Sequence, residues 1–208
     1  MIRSHHRDGL SLLTIDRPDK ANALTADMLR DLRAGVAQAL DSGARALILT
    51  GAGRVFSAGA DLDQARAGLA TAPEWEDLSA ALAALPCLTV AALNGSLAGG
   101  AFGMALACDI RLAVPDARFF YPVMRLGFLP QPSDPARLVA LVGPARARMI
   151  LMAGARIDAP EALAWGLVDR ILPAPDLMDA ARALATDALA ADPAHVATIK
   201  AMTRPSRA

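Results

Sequence analysis

Residues 94–110 read NGSLAGGAFGMALACDI, and this stretch decides the interpretation of the fold. The apolar residues 88–93 that lead into it predict a buried strand. An Asn-Gly dipeptide then predicts a turn, and Gly99-Gly100 open a helix rich in Ala and Met. Because glycine has no Cβ and the first N–H groups of a helix lack partners, such a turn can bind an oxyanion or a phosphate. The alternative is a tightly packed glycine helix that binds nothing.

A second stretch has the same organisation. The apolar run at residues 46–50 is followed by GAGRVFSAGADL at residues 51–62. This again predicts a buried strand that ends in a glycine-rich turn. If the two strands are neighbours, two backbone N–H groups can point at one carbonyl oxygen.

The composition limits the classes of partner. The 208 residues suffice for one sizeable domain, and the 21 Lys and Arg balance the 21 Asp and Glu. A net charge of zero argues against nucleic acid or an anionic membrane as the main partner. Residues 1–8 lack the apolar segment of a signal peptide, and no run approaches the ~20 apolar residues that span a bilayer. Cys87 and Cys108 are expected to be reduced core cysteines, so we expect a cytoplasmic protein.

Other chemistries have weaker support in the sequence. His5, His6 and His195 lack the spacing of metal ligands, so no metal site is expected. Ser57 lies in Phe-Ser-Ala-Gly rather than in the Gly-x-Ser-x-Gly nucleophile elbow. The Gly-Ala-Gly segment at residues 51–53 lacks the third glycine of a dinucleotide fingerprint, so a Rossmann enzyme is a poor fit.

The remaining pattern predicts strands that alternate with helices, which favours an α/β fold. A strand at residues 11–15 precedes a helix that Thr25 caps, with an apolar stripe at Leu24, Met28, Leu32, Val36 and Leu40. Residues 61–85 read as loop and helix, with a mobile charged segment at residues 73–77. Beyond Pro130 the chain becomes helical, apart from a brief strand at residues 167–172; the predicted helices span residues 134–142, 144–153, 159–166 and 175–190, and a last one starts at Pro193.

Three segments resemble the crotonase (enoyl-CoA hydratase/isomerase) superfamily: residues 17–24, 56–62 and 94–110. They occur in the order and at roughly the spacing of the family. The resemblance implies an α/β fold, a crotonase-like spiral of ββα units at residues 1–135 with two stacked, nearly perpendicular sheets. It implies a C-terminal helical oligomerisation region at residues 136–208 within the same domain unit, and a homotrimer or dimer of trimers. Because the chain stops at Ala208, we expect the last helix of the family to be missing.

The resemblance also implies an acyl-CoA thioester as substrate, with no covalently bound cofactor. In this family the thioester carbonyl oxygen accepts two backbone N–H bonds, an oxyanion hole that stabilises an enolate. The two donors fall on Ala60 and Gly100. The positions that contact coenzyme A fall on Lys20, Ala21, Ala23 and Leu24 beside pantetheine and phosphates, and on Ser57, Ala58, Asp61 and Leu62 beside adenine. The alternative for Lys20 is a solvated surface lysine.

The chain departs from the hydratase pattern at both glutamates, whose aligned positions are Gly103 and Val123. Hydration needs groups that activate water and move a proton, so hydration by the two-glutamate route is not expected. The single acid of the family's isomerases aligns with Gln131, whose amide can orient a ligand but is not an ordinary base. Asp134 is the nearest carboxylate, and its alternative is an N-cap or a first-turn acid at a helix start. Tyr121 lies either in the pocket or in the core or an interface.

Two functions therefore stay open. The first is an enzyme of the hydratase/isomerase family, a lyase or isomerase, in which isomerisation or another enolate reaction is favoured over hydration. Asp134 or a base on the substrate would move the proton. The second is a non-catalytic acyl-CoA-binding or assembly subunit that keeps the fold and has lost the chemistry.

Overall fold

The computed structural model describes residues 1–203. In this range the strands are β1 (Ile2–Arg7), β2 (Leu10–Ile15), β3 (Ala46–Gly51), β4 (Val55–Ser57), β5 (Leu88–Leu93), β6 (Ser96–Ala98), β7 (Ile110–Ala113), β8 (Arg118–Phe120), β9 (Ile157–Asp158) and β10 (Arg170–Ile171). The helices are α1 (Ala26–Asp41), α2 (Leu62–Arg66), α3 (Glu74–Ala84), α4 (Phe102–Ala107), α5 (Val123–Leu126), α6 (Asp134–Leu151), α7 (Ala159–Trp165), α8 (Leu177–Ala190) and α9 (Pro193–Met202).

The strands form two sheets that the chain visits alternately. The larger sheet has the order β1-β2-β3-β5-β7-β10, and the smaller has the order β4-β6-β8-β9. In the successive pairs β3–β4, β5–β6 and β7–β8, the first strand joins the larger sheet and the second joins the smaller. A helix follows each pair. The expected α/β spiral of ββα units is confirmed.

The core elements form for the reasons that the sequence pattern indicates. Residues 46–50 of β3 are fully buried between β2 and β5, which pair with it in parallel. The predicted cap of α1 is confirmed, because Thr25 Oγ1 accepts a hydrogen bond from Met28 N at 3.2 Å. The stripe of α1 faces the core except at Leu40, which is 53% exposed, so its inclusion in the stripe was wrong.

Strand β1 was missed at the sequence level. It pairs antiparallel with β2 in a register that sets Arg7 opposite Leu10, so Asp8 and Gly9 form a two-residue loop. Both have positive φ, 53° and 83°, which is the conformation that an Asp-Gly hairpin turn requires. The signal that predicts this hairpin was therefore present in the dipeptide.

The charged segment at residues 73–77 was predicted to be a mobile patch, and that prediction was wrong. It begins α3, and Trp75 is only 2% exposed. The indole Nε1 donates to Leu69 O at 2.8 Å. Burial of this large ring anchors the segment in spite of its acidic neighbours.

The predicted C-terminal elements are confirmed with shorter bounds. Gly143 has a φ of 78° and interrupts α6, and Gly166 has a φ of 82° and ends α7. Only Arg170–Ile171 of the strand predicted at residues 167–172 pairs, with β7. The region is not purely helical, because β9 and β10 extend both sheets. Its role in oligomerisation stays a prediction.

Two further expectations concern the cysteines and the membrane. Cys87 and Cys108 are free and buried, as expected. Burial raises the pKa of both thiols, to about 11 for Cys87 and about 12 for Cys108. Among residues 1–203, no helix combines the length and the apolar character required to cross a bilayer.

Candidate active site

The two glycine-rich turns lie in backbone contact. Strands β4 and β6, which lead into them, are parallel neighbours in the smaller sheet. A Cβ atom on Gly59 would lie 2.9 Å from Ala98 O and 3.5 Å from Gly100 N, and Gly59 has a φ of +89°. Both the space and the positive φ demand glycine at this position. The expected proximity of the two turns is therefore observed.

Ala60 lies beside Leu24 in an isolated parallel bridge, and its N–H group points away from Leu24. Leu24 N donates to Gly59 O at 2.8 Å, and Asp61 N donates to Leu24 O at 2.8 Å. Leu24 therefore bonds to the residues before and after Ala60, and in such a parallel bridge the N–H group of Ala60 itself points to the side opposite Leu24. Gly100 is the second residue of a 3-10 turn, Gly99–Ala101, whose first N–H groups have no partner within the turn. Within residues 1–203 neither N–H has a hydrogen-bond acceptor.

Both residues line one cavity of about 140 Å³. Its walls are mostly apolar, and they include Ala58, Ala60, Leu62, Trp75, Gly100, Tyr121, Val123, Leu129 and Gln131. A larger cavity of about 470 Å³ lies between α8, α9 and the start of β5, where His195 and Lys200 line it. We place the candidate site in the smaller cavity, because the larger one contains none of the predicted site residues.

Trp75 forms the wall against which Gly100 packs. A Cβ atom on Gly100 would lie 3.1–3.2 Å from three atoms of the indole ring. The ring cannot retreat easily, since it is buried and its Nε1 is bonded to Leu69 O. This wall was not predicted from the sequence, where Trp75 was placed in a mobile charged segment.

The two segments predicted to contact coenzyme A lie side by side. Ala58 N donates to Ala21 O at 3.0 Å, and the Asn22 side chain connects the segments. Its Oδ1 accepts from Arg17 N, and its Nδ2 donates to Ala52 O and Val55 O at 2.9 and 2.7 Å. Asn22 is a structural residue that the sequence analysis missed. Its φ of 54° suits asparagine, which tolerates the left-handed region.

The predicted coenzyme A residues occupy different environments. Ala58 and Leu62 line the cavity, Lys20 is exposed, and Ala21 and Ala23 are half-buried. Leu24 and Ser57 are fully buried, and Ser57 Oγ donates to Asn22 O at 2.8 Å and accepts from Gly59 N at 3.2 Å. These bonds give Ser57 a role in holding the turn.

Asp61 connects the site to the segment at residues 17–24. Its carboxylate accepts a hydrogen bond from Arg17 Nη1 at 2.7 Å and caps α2 through Asp63 N and Gln64 N. The bond from Arg17 is the main cause that lowers the pKa of Asp61. The carboxylate is therefore occupied by contacts within the chain.

The two positions at which the family resemblance implies glutamates, residues 103 and 123, differ in surroundings. Val123 begins α5 and lines the cavity. Gly103 lies in α4, and a Cβ atom there would be 2.9 Å from Asp134 Oδ1 and 3.4 Å from Oδ2. The carboxylate of Asp134 thus lies where a side chain of residue 103 would begin.

Asp134 is the buried first residue of α6, so the alternative of an acid in the first turn of a helix is confirmed, although the N-cap position belongs to Ser133. The residue before α6 is Ser133, whose N–H and hydroxyl both donate to the Glu76 carboxylate. Asp134 Oδ2 accepts from Tyr121 Oη at 2.9 Å, and Oδ1 has no partner within the described range. Burial is the main cause that raises the pKa of Asp134 to about 7, although the Tyr121 bond and Arg137 act in the opposite direction.

Tyr121 is both a core residue and a wall of the cavity. Its ring stacks on Phe102 with centroids 5.3 Å apart, and it is 3% exposed. Its hydroxyl accepts a bond from Gln131 N at 3.4 Å and donates to Asp134. Burial, and then the charge of Asp134, raise the pKa of Tyr121 well above its usual value. Gln131, 6% exposed, also lines the cavity.

Comparison with known proteins identifies the family of this chain. A family model described as enoyl-CoA hydratase/isomerase matches residues 5–207. Carnitinyl-CoA dehydratase of Salmonella arizonae is 37% identical over 203 residues, which cover 94% of this chain and 77% of that protein.

Two solved structures have the same fold. The enoyl-CoA hydratase/isomerase from Pseudoalteromonas atlantica T6c matches with a TM-score of 0.89 and 29% identity, over 97% of this chain and 81% of its own. DspI of Pseudomonas aeruginosa matches with a TM-score of 0.88 and 32% identity, over 97% and 85% of the two chains. The chain belongs to the enoyl-CoA hydratase/isomerase family, the crotonase superfamily that its three segments resemble.

Proposed function

We propose that this protein binds an acyl-CoA thioester and stabilises its enolate with the backbone N–H groups of Ala60 and Gly100. The observation that carries this proposal is that both groups belong to touching turns, line one cavity and lack acceptors within residues 1–203. A thioester oxygen in the cavity would satisfy both. Each such donor contributes about 3–4 kcal/mol to the stabilisation of a transition state.

The reaction that we propose is isomerisation or another enolate reaction rather than hydration. Residue 103 has no side chain and Val123 is apolar, so the two positions of the hydratase glutamates supply no proton-transfer group. Asp134 is the carboxylate nearest to Gly103, and its raised pKa suits a group that takes up and returns a proton near neutral pH. Gln131, which lines the cavity, would orient the ligand.

Coenzyme A would lie along residues 17–24 and 57–62. Lys20, which is exposed, offers a positive charge for a phosphate, and Ala58 and Leu62 offer apolar contact at the mouth of the cavity. Ala21, Ala23 and Leu24 would flank the pantetheine arm; Ser57 and Asp61 would hold the segment beside adenine. The relative named carnitinyl-CoA dehydratase supports a coenzyme A thioester as ligand. We also propose a homotrimer or dimer of trimers in the cytoplasm.

Butyryl-CoA labelled with 13C at its carbonyl tests the oxyanion hole. Two N–H donors withdraw electrons from the carbonyl, so we expect its stretching frequency to fall on binding below the value in water. In D2O, a working enolate site exchanges the α-hydrogens for deuterium. Assays with crotonyl-CoA and a 3-enoyl-CoA then compare hydration with isomerisation, and efficient hydration would contradict our assignment of Gly103 and Val123.

The second candidate is a non-catalytic acyl-CoA-binding subunit, and the absence of both glutamates favours it. It predicts that butyryl-CoA binds, which calorimetry measures, and that the carbonyl frequency falls on binding as it does for the first candidate. It differs in predicting neither deuterium exchange nor turnover of any enoyl ester. The exchange experiment therefore separates the two functions.

A further inference from the structure

The described walls of the cavity contain few groups that can move a proton. None of the lining residues carries a carboxyl group or an imidazole. The indole N–H of Trp75 is bonded to Leu69 O, and the Gln131 amide is not an ordinary base. The Tyr121 hydroxyl is the one hydroxyl group among these residues. Tyr121 therefore connects the wall of the cavity to the buried Asp134, to which its hydroxyl donates at 2.9 Å.

We propose that Tyr121 is a catalytic residue that exchanges the proton with the substrate, and that Asp134, in the space left open by Gly103, accepts that proton through it. The inference rests on the proposed function and adds the residue that touches the substrate. Tyr121 Oη donates to Asp134 Oδ2 and accepts from Gln131 N, which leaves one lone pair for a ligand. The stack on Phe102 fixes the ring in this orientation.

The transfer is balanced in atoms and charge. The α-C–H bond of the thioester breaks, and its proton goes to Tyr121 Oη while the phenolic proton moves to Asp134 Oδ2. The electron pair of the C–H bond becomes the enolate, whose oxygen accepts the N–H bonds of Ala60 and Gly100. The negative charge has moved from Asp134 to the enolate. The reverse relay returns the proton at the γ-carbon in an isomerisation, or at the α-carbon in exchange.

The environment of the pair agrees with a relay in which the phenol stays neutral. Because the pKa of Tyr121 is raised by burial and by Asp134, a phenolate is disfavoured. The pKa of Asp134, raised to about 7, allows it both to accept and to return a proton at neutral pH. Oδ1 of Asp134 has no partner within residues 1–203, so no hydrogen bond at this oxygen stabilises the charged form of the carboxyl group.

The first test compares variants of the 208-residue chain in the exchange of butyryl-CoA α-hydrogens in D2O. We expect Tyr121→Phe and Asp134→Asn to slow exchange by about 10²–10⁴-fold while the affinity for butyryl-CoA is unchanged. The control is Asp158→Asn, which makes the same chemical change at the cap of α7, where asparagine serves equally well. Exchange at the wild-type rate in Tyr121→Phe overturns the inference alone; absence of exchange in the wild type overturns the enzymatic function as well.

The second test needs no substitution. The chain has a single tyrosine, so 13Cζ labelling of tyrosine gives one NMR resonance. We expect this resonance to shift with a midpoint near pH 7, as Asp134 titrates, and to move when butyryl-CoA binds. Because any residue in the cavity wall responds to a bound ligand, the discriminating result is a change of this midpoint when butyryl-CoA binds, which a wall residue that is not coupled to Asp134 would not show. A resonance that is insensitive to butyryl-CoA and to pH between about 5 and 9 overturns the inference.

Discussion

The backbone of Gly103 and the carboxylate of Asp134 occupy adjoining space, since a Cβ atom on Gly103 would lie 2.9 Å from Asp134 Oδ1. Helices α4 and α6 pack so closely here that residue 103 can carry no side chain while Asp134 keeps its position. The place where the family resemblance implies a hydratase glutamate is therefore taken by a carboxylate from another helix.

Gly103→Ala should displace Asp134 and break its bond to Tyr121. We expect a loss of about 1–3 kcal/mol in the free energy of unfolding, the usual cost of an added methyl group in a packed core. Urea denaturation measures this loss. The double variant Gly103→Ala/Asp134→Ser has room for the methyl group, so its loss should be smaller than the sum of the single losses. Additive losses would contradict the proposed contact.

We expect hydration to be gained only when Asp134 is removed and glutamates are placed at both positions where the family resemblance implies them. Gly103→Glu alone would bring a second carboxylate against Asp134, so we expect an unstable protein. The triple variant Gly103→Glu/Val123→Glu/Asp134→Gly should hydrate crotonyl-CoA faster than the wild type. The absorbance of the conjugated thioester follows this reaction. Equal stability of Gly103→Glu and the wild type would show that the helices are not packed as described.

The stability of the protein should depend on pH through Asp134. Its pKa is raised to about 7 in the folded protein, above about 3.9 in an unfolded chain, so the folded state binds the extra proton between these values. Stability from this group is therefore present at low pH and is lost as pH rises toward 7. The other charged or titratable groups that act on Asp134 are Tyr121, Arg137 and Glu76.

Asp134→Asn removes this titration and isolates its contribution. We expect the free energy of unfolding of the variant to rise relative to the wild type between about pH 4 and 7. Urea denaturation at several pH values measures the difference. Parallel profiles for the two proteins would mean that Asp134 keeps an ordinary pKa.

Much of the fold and half of the site were predictable from local pattern. The two glycine turns follow buried apolar strands, so their meeting at the ends of neighbouring strands was predictable from residues 46–62 and 88–110. Backbone N–H donors also need no particular side chain, which is why the family resemblance could predict Ala60 and Gly100 from their positions in its motifs. The hairpin of β1 was equally predictable from Asp8-Gly9, and it was missed.

The other half of the site depends on packing between segments distant in sequence. Asp134 lies 31 positions after Gly103 along the chain. Nothing in the residues around either one indicates that α4 and α6 touch at that point. Trp75 similarly follows a proline among acidic residues, a local composition typical of an exposed loop. Only its burial beside Gly100 shows that it forms a wall of the cavity.

Gly100→Ala should damage the site through Trp75. Its Cβ would lie 3.1–3.2 Å from the indole ring, so the ring or the turn must shift. We expect weaker binding of butyryl-CoA and a smaller shift of its carbonyl frequency, because the Gly100 N–H moves away from the oxygen. Adding Trp75→Phe to this variant makes room for the added methyl group, so it should restore part of the affinity for butyryl-CoA and part of the carbonyl frequency shift. An unchanged carbonyl shift in Gly100→Ala would show that the Gly100 N–H does not contact the oxygen.

Lys20 provides the test of coenzyme A binding, since its exposed charge is available to a phosphate. Lys20→Ala should weaken butyryl-CoA binding by about two- to fivefold, the effect of an exposed ion pair worth about 0.5–1 kcal/mol. The difference should shrink in salt, which screens exposed charges. Butyryl-pantetheine lacks the phosphates, so its affinity should not change. Arg33→Ala removes an exposed charge from α1 and serves as the matched control. An equal loss for butyryl-pantetheine would assign Lys20 to the pantetheine arm instead of the phosphates.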